Sequence, residues 1–179
     1  MKINIENGIA AMAAAELSGA TPEEMKSAMS SFMGVKRRFE FHLKNENIVY
    51  IDDYAHHPEE LKAAIVSIKA LYPDKKLTAI FQPHLYSRTR DFANEFAESL
   101  SLADDIILLD IYPAREEPIE GVSSQIIFDK VTSSNKQLII KSELLDLIIK
   151  KQPEMVVTFG AGDIDRMVPH IKEILSKNN

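Results

Sequence analysis

The hydrophobic pattern divides the chain into a helical opening and a longer part in which strands and helices alternate. Residues 4–18 and 21–32 both have the pattern of helices. Thr21 and Pro22 mark the start of the second helix, because threonine caps helices and proline fits the first turn. Residues 36–38 are basic and begin a different pattern. The opening of the chain therefore predicts two helices.

The remainder of the chain has the pattern of a sheet covered by helices. Residues 39–43 and 48–52 have strand character, and the turn-forming residues 45–47 between them predict an antiparallel hairpin. The later segments are, in order, helix 58–71, strand 77–81, a helix through Phe92, Phe96 and Leu100, strand 106–109, helix 124–131, strand 137–140, helix 143–150, strand 155–159 and helix 164–176. Repeated strand–helix units predict an α/β fold, with a mainly parallel sheet of about six strands flanked by helices.

Composition limits the class of protein. The 179 residues, 45% of them hydrophobic, fit one domain or one domain with a piece of another. The two opening helices follow no strand, which favours the second option. A net charge of −6 argues against binding to nucleic acid, and no window is long and apolar enough to span a bilayer. The absence of cysteine excludes disulfides and thiolate zinc sites. We expect a cytoplasmic protein with no nucleic-acid or membrane partner.

Two polar blocks stand where predicted strands end and helices begin. They are residues 52–58, with the sequence DDYAHHP, and residues 82–90, with the sequence QPHLYSRTR. In open α/β sheets, ligands bind outside the carboxyl ends of parallel strands. Carboxylates, imidazoles and guanidinium groups at two such ends predict a polar cleft that binds anions.

The acidic and histidine residues of the first block have more than one interpretation. Asp52 and Asp53 are adjacent on a strand and point to opposite faces, so one would face the cleft and the other would pair locally. His56 and His57 with carboxylates could suit zinc or manganese in a metal-dependent hydrolase. However, consecutive histidines at a helix start cannot both readily reach one ion. We therefore predict no metal site.

Two further motifs bear on anion binding. Arg88 and Arg90 lie at a helix start and could hold a carboxylate or phosphate, although solvated surface arginines are the common alternative. Residues 160–163, Gly-Ala-Gly-Asp, lack the third glycine of a dinucleotide fingerprint and predict a tight turn capped by Asp163. No G-x-x-x-x-G-K-[ST] motif is present, so the chain cannot build an ordinary phosphate loop for ATP.

Taken in order, these motifs make the chain similar to a known family. The sequence Arg-Arg-Phe at residues 37–39, DDYAHHP at 52–58, QPHLYSRTRD at 82–91 and TFGAGDID at 158–165 resemble the Mur ligases of peptidoglycan synthesis. The resemblance covers essentially the whole chain, and the second and third motifs are specific. Within the family, the branch that adds L-alanine matches better than the branch that recycles murein tripeptide, which differs at the third motif.

The resemblance implies a domain arrangement. Mur ligases have a domain for the UDP sugar, a central ATPase domain and a C-terminal Rossmann-like domain. By this resemblance, residues 37–179 are the C-terminal domain and residues 1–36 are the last helices of the central domain. The phosphate loop, the magnesium ligands and the sugar site would lie on sequence outside this chain.

The resemblance also implies ligand-binding residues on the nucleotide side. Asn4 and Asn7 match an adenine-binding motif, although Ile3 stands where histidine is common. Arg38 and Asp53 match nucleotide-facing positions, and Asp53 is expected on the ribose.

A second set is implied around the incoming L-alanine. Tyr54, His56, His84 and Arg88 match positions on that side. Leu85 stands where the family often has arginine, which leaves Arg88 as the candidate for the alanine carboxylate.

The implied function is to close over ATP and position L-alanine for ATP-dependent amide-bond formation with UDP-N-acetylmuramate. ATP and Mg²⁺ would serve the full-length enzyme, and we expect neither to bind the fragment tightly. No catalytic residue is assigned within the chain, which alone is expected to be inactive. Two alternatives stay open: the domain of a murein-tripeptide-recycling ligase, and a stand-alone module that binds a nucleotide or an amino acid.

Overall fold

The computed structural model describes residues 2–177 and, of their side chains, those of residues 5–177. The chain forms two compact units, Met1–Val35 and Lys36–Asn179. That the first unit belongs to a central ATPase domain stays a prediction. Among the described helices, none combines the length and apolar composition needed to cross a bilayer.

The first unit consists of two helices, α1 (Lys2–Leu17) and α2 (Pro22–Ser31). The predicted start of α2 is confirmed: Thr21 is its N-cap, and the Thr21 hydroxyl accepts from the Glu24 backbone N–H at 3.3 Å. The Glu24 carboxylate in turn accepts from the Thr21 N–H at 2.8 Å. This reciprocal capping satisfies backbone donors that a helix start otherwise leaves unpaired.

The second unit contains a six-stranded sheet in the order β1-β2-β6-β3-β4-β5. Its elements are β1 (Glu40–Lys44), β2 (Val49–Asp53), α3 (Pro58–Leu71), β3 (Leu77–Phe81), α4 (Tyr86–Asp91), α5 (Ala93–Leu100), β4 (Asp105–Leu109), α6 (Gln125–Phe128), β5 (Lys136–Ile139), α7 (Leu144–Lys151), β6 (Met155–Phe159) and α8 (Val168–Lys177). Only the β1–β2 pair is antiparallel. The predicted fold class, including the hairpin, is confirmed.

Helices cover both faces of the sheet. On one face, α7 and α8 pack over strand residues that include Tyr50, Ile107 and Val156. On the other, α3 and α5 lie side by side, and Phe81 contacts Phe96 with ring centroids 5.2 Å apart. Strands β2, β3 and β6 are buried along their whole length, as expected for parallel strands covered on both sides.

Three predicted helices differ from those observed. The helix through Phe92 is broken there into α4 and α5, because Phe92 leaves helical geometry at φ −120°. The helix predicted over residues 124–131 is a single turn, Gln125–Phe128. The last helix begins as a 3₁₀ turn, Asp163–Met167, before α8.

Candidate functional site

The sheet topology brings four turns to one edge. Strand β6 is the last in the chain but lies between β2 and β3, and Phe159 is level with both Asp53 and Phe81. Phe81 is in turn level with Leu108 of β4. The turns that follow these strands therefore start side by side. The two polar blocks found in the sequence meet there, with the His56 and His84 rings 6.2 Å apart.

Asp53 is held in place by two backbone donors. Its two carboxylate oxygens accept from the Phe39 and Ala55 N–H groups, both at 2.8 Å. Burial raises the pKa of Asp53, against the lowering effect of those N–H groups and of Arg38. Each oxygen keeps a lone pair for a further donor.

Asp52 points to the other face of the sheet, as adjacent strand residues do. It is buried, accepting from Thr158 Oγ1 at 2.6 Å and from Arg37 Nε at 3.0 Å. The Thr158 hydroxyl is 3.3 Å from the Tyr50 hydroxyl. The turn that carries Arg37 and Arg38 therefore contacts both carboxylates: the Arg37 side chain binds Asp52, and the Phe39 N–H and the charge of Arg38 act on Asp53.

Tyr54 lies between the basic turn and the histidines. Its ring is 5.1 Å from the Arg37 guanidinium and 5.6 Å from that of Arg38. On its other side it contacts the His56 ring edge to face, at 5.2 Å. Arg38 is exposed, whereas Arg37 is partly buried. Of these two arginines, Arg38 is the one available to a ligand.

The two consecutive histidines have different surroundings. His56 Nδ1 lies 3.0 Å from the Tyr54 carbonyl oxygen, which can only accept, so Nδ1 carries hydrogen and Nε2 is the acceptor of the neutral ring. The His57 ring packs against Phe92 at 4.9 Å. Glu60 accepts from both histidine backbone N–H groups. His56 therefore belongs to the cluster, and His57 supports the start of α3.

His84 lies just before helix α4, and Arg88, four residues later within that helix, contacts it. Arg88 donates to His84 Nδ1 at 3.4 Å, which requires an unprotonated Nδ1. The pKa of His84 is lowered, first by burial and then by the positive charge of Arg88. The geometry and the pKa agree on a neutral imidazole. Arg90, in contrast, is exposed and pairs with its neighbour.

Tyr112 belongs to the cluster, and the sequence analysis missed it. Its ring stacks on His84 at 5.9 Å with an interplanar angle of 22°. The Tyr112 carbonyl accepts from the Leu85 N–H at 3.0 Å, and its N–H donates to Pro83 at 2.8 Å. The available signal was its position shortly after strand β4, at the same edge as the other strand ends.

The glycine turn is fastened to the second polar block. A side chain at Gly160 would meet the Gln82 carbonyl at 2.6 Å, and one at Gly162 would meet Tyr112 at the same distance. Gln82 also donates to Asp163 at 2.9 Å and accepts from the Ile164 N–H. The predicted tight turn is confirmed. The predicted Asp163 cap is wrong, because Gly162 is the N-cap and the Asp163 carboxylate binds Gln82 and Lys141.

A family comparison identifies this arrangement. The family described as "Mur ligase, glutamate ligase domain" matches residues 37–162, more than half of the chain. The chain belongs to the Mur ligases. The match begins at the Arg-Arg-Phe turn and ends within the glycine turn, so it contains all four strand ends of the cluster.

Named relatives of this Mur ligase chain agree with one another. It is 62% identical over 177 residues to the UDP-N-acetylmuramate–L-alanine ligase of Parabacteroides distasonis and 57% identical over 178 residues to that of Phocaeicola vulgatus. Each alignment covers 99% of the chain but only 38% and 39% of the relative. The chain thus spans less than two fifths of the length of these relatives.

Solved structures give the same fold. The crystal structure of the UDP-N-acetylmuramate–alanine ligase of Thermotoga maritima matches with a TM-score of 0.78 at 27% identity, over 98% of this chain and 38% of that one. A murein peptide ligase of Psychrobacter arcticus matches with a TM-score of 0.67 at 23% identity, over 96% of this chain and 36% of that one. The second likeness concerns the fold alone.

Three further residues were singled out in the Mur ligase motifs. Asn7 is exposed on α1 in the first unit. The side chain of Asn4 lies outside the described residues. Leu85 is the N-cap residue of α4 and has a positive φ of 72°. Its side chain is buried, so it contributes packing and no charge.

Proposed function

We propose that the chain is the C-terminal domain of a UDP-N-acetylmuramate–L-alanine ligase, with residues 1–36 forming the last helices of the central ATPase domain. The observation that carries this proposal is the 62% identity to an enzyme of that name across 99% of the chain. In this role the domain closes over ATP and positions L-alanine in the cytoplasm, where the ligase makes a peptidoglycan precursor.

The nucleotide would lie against the first polar block. The free lone pairs of Asp53 would accept from the ribose hydroxyls, and the exposed Arg38 would face the phosphates. Asn4 and Asn7 would contribute to adenine binding. The phosphate loop and the Mg²⁺ ligands would come from the other domains.

L-alanine would lie against the second polar block. Arg88 suits its carboxylate, because a guanidinium group offers two parallel donors. The ammonium must lose a proton before it attacks, and His56 Nε2 is the candidate acceptor for that proton. The Nδ1 atom of the neutral His84 already accepts from Arg88, so His84 would instead help to orient the Arg88 guanidinium group. Tyr54 and Tyr112 line this part of the site, next to His56 and His84 respectively.

The reaction assigns the domain an orienting role. ATP transfers its γ-phosphoryl group to the lactyl carboxylate of UDP-N-acetylmuramate and leaves as ADP. The alanine amine then attacks the acyl phosphate, and the tetrahedral intermediate expels inorganic phosphate. Holding the amine in line with the acyl carbon accounts for the catalytic contribution of this domain.

The test is a substrate comparison with the full-length enzyme. The enzyme is incubated with ATP, Mg²⁺ and UDP-N-acetylmuramate, together with either L-alanine or murein tripeptide, and products are identified by mass spectrometry. We expect ADP formation that depends on L-alanine and a product carrying one alanine. Preferential joining of the tripeptide would support the recycling ligase instead. Product formation by the 179-residue chain alone would contradict the proposed domain role.

A further inference from the structure

We propose that Arg37 is a positioning residue that fastens the turn after β2 to the turn after β6 and so fixes Tyr54 and Asp53 toward the nucleotide. This inference rests on the proposed function for its kinetic consequences. The structural basis of the inference lies entirely within the second unit.

The Arg37 side chain connects its own turn to two segments that are distant in sequence, strand β2 and residues 160–165 after β6. Its Nε donates to Asp52 at 3.0 Å, and a terminal nitrogen donates to the Gly160 carbonyl. The other terminal nitrogen lies 4.0 Å from the Asp165 carboxylate. The plane of the guanidinium group allows these partners to be reached in different directions at once, which an ammonium group cannot reproduce.

The backbone of Arg37 adds a second connection to the same turn. Its carbonyl accepts from the Tyr54 N–H at 2.6 Å, and its own N–H donates to the Glu40 carboxylate at 2.8 Å. Arg37 and Phe39 both adopt positive φ, at 58° and 54°. A non-glycine residue in this region is strained, so the contacts must hold the turn in place. The Phe39 N–H is one of the two donors that orient the Asp53 carboxylate.

Arg37 and Arg38 therefore have separate roles. The Arg37 side chain is 18% exposed and its donors are directed to protein groups. Arg38 is exposed and lies over the same Tyr54 ring. A ligand beside Asp53 would contact Arg38 directly. Arg37 would affect that ligand only indirectly, through the position of Tyr54 and of the turn at residues 37–39.

A metal ion is the competing explanation for this corner of the sheet. Among the described residues, Glu40, His42 and Asp52 place ligand-type atoms within 4.8 Å of one another. However, both Asp52 oxygens already accept, one from Arg37 and the other from Thr158. The guanidinium group of Arg37 supplies beside Asp52 the positive charge that a cation would otherwise bring.

The first experiment measures the turn in the 179-residue chain, without reference to activity. Amide hydrogen exchange is followed by NMR in the wild type, in Arg37→Lys and in Arg166→Lys, an exposed arginine of the 3₁₀ turn before α8. We expect Arg37→Lys to speed exchange of the Tyr54 N–H about 10-fold or more, since charge-assisted hydrogen bonds are lost. Arg166→Lys should leave that amide unchanged. Equal exchange of Tyr54 in all three proteins would overturn the structural part of the inference.

The second experiment measures the consequence in the full-length enzyme. Arg37→Lys is expected to raise KM for ATP about 10-fold, while Arg166→Lys leaves it unchanged. A purely structural role would lower kcat in proportion to the folded fraction, measured by circular dichroism, and would leave KM for ATP as in the wild type. That result would overturn the positioning role.

The proposed function can fail separately from this inference. A wild-type enzyme without L-alanine-dependent ADP formation would refute the proposed function, whereas the hydrogen-exchange result for the Tyr54 N–H would remain valid.

Discussion

Arg88 and Arg90 lie two positions apart on one short helix, yet their surroundings differ. Arg88 is partly buried and lies 3.4 Å from His84 Nδ1, whereas Arg90 is exposed and pairs with Asp91. An exposed ion pair between neighbours is weak and leaves the arginine in solvent. Of the two, Arg88 is therefore the one that we propose for anion recognition. The residue types alone did not separate the two arginines, whereas the resemblance to the family did.

Replacement of Arg88 tests this distinction. We expect Arg88→Lys in the full-length enzyme to raise KM for L-alanine about 10- to 100-fold, because the charge is kept but the two-pronged contact with a carboxylate is lost. KM for ATP should stay unchanged. Arg90→Lys is the matched control and should behave as the wild type in steady-state kinetics. Equal effects of both substitutions on KM for L-alanine would contradict the assignment.

The lowered pKa of His84 predicts a pH dependence of stability. Because the folded chain favours the neutral ring, the unfolded chain binds more protons between the two pKa values. Stability is therefore present above the unfolded-state pKa of about 6.5 and is lost as the pH falls below it. We expect the drop in thermal midpoint between pH 7.5 and pH 5.5 to be smaller in His84→Gln than in the wild type. An identical drop in both, measured by circular dichroism, would show that His84 does not contribute.

At the scale of single residues, the sequence located the polar side chains but not their partners. Asp52 and Asp53 were correctly placed on opposite faces by strand alternation. Which of them binds Arg37 depends on a long-range contact that no local pattern encodes. By residue type alone His57 was likewise indistinguishable from His56, and the structure shows the difference in the packing of the His57 ring on Phe92.

At the scale of elements, strands were predicted better than helix ends. Strand β3 has its predicted bounds because a continuous apolar run is fixed by burial on both faces. The break at Phe92, whose ring packs on His57, and the 3₁₀ start of the last helical segment both coincide with long-range contacts. In the second case, the Ile164 N–H is bound by the Gln82 side chain, a partner 82 positions away. Such contacts override local propensity at helix ends.

Gly162 illustrates a requirement of the packing between elements. Its φ is −86°, which any residue can adopt, so only space forbids a side chain. A Cβ would lie 2.6 Å from both Gln82 Oε1 and Tyr112 Cβ. We expect Gly162→Ala to destabilise the chain by about 1–3 kcal/mol in urea denaturation. Gly8→Ala, where a Cβ meets only Met29 at an ordinary 3.6 Å, is the control and should not destabilise it. Similar stabilities of the two variants would rule out the steric explanation.

At the scale of the whole molecule, the candidate site is a product of strand order. Inserting the last strand between β2 and β3 places the glycine turn between the two polar blocks. The cluster then continues through Tyr112 to the end of β4. Sequence pattern predicted parallel strands and hence a shared edge, but not this order, which depends on long-range strand pairing. If the second unit is transplanted as a whole into another ligase, all residues of the cluster should therefore go with it.

A chimeric enzyme tests this transfer. The 179-residue chain replaces the aligned part of the Parabacteroides distasonis ligase, to which it is 62% identical over 177 residues. We expect the chimera to join L-alanine to UDP-N-acetylmuramate with ADP release, because the ATPase and sugar domains come from the host and the cluster that we propose to bind alanine comes intact from this chain. Introducing Arg88→Lys into the chimera should raise KM for L-alanine about 10- to 100-fold, the effect expected in the full-length enzyme. A folded chimera that binds ATP and the UDP sugar but forms no amide product would show that the cluster does not suffice to position L-alanine.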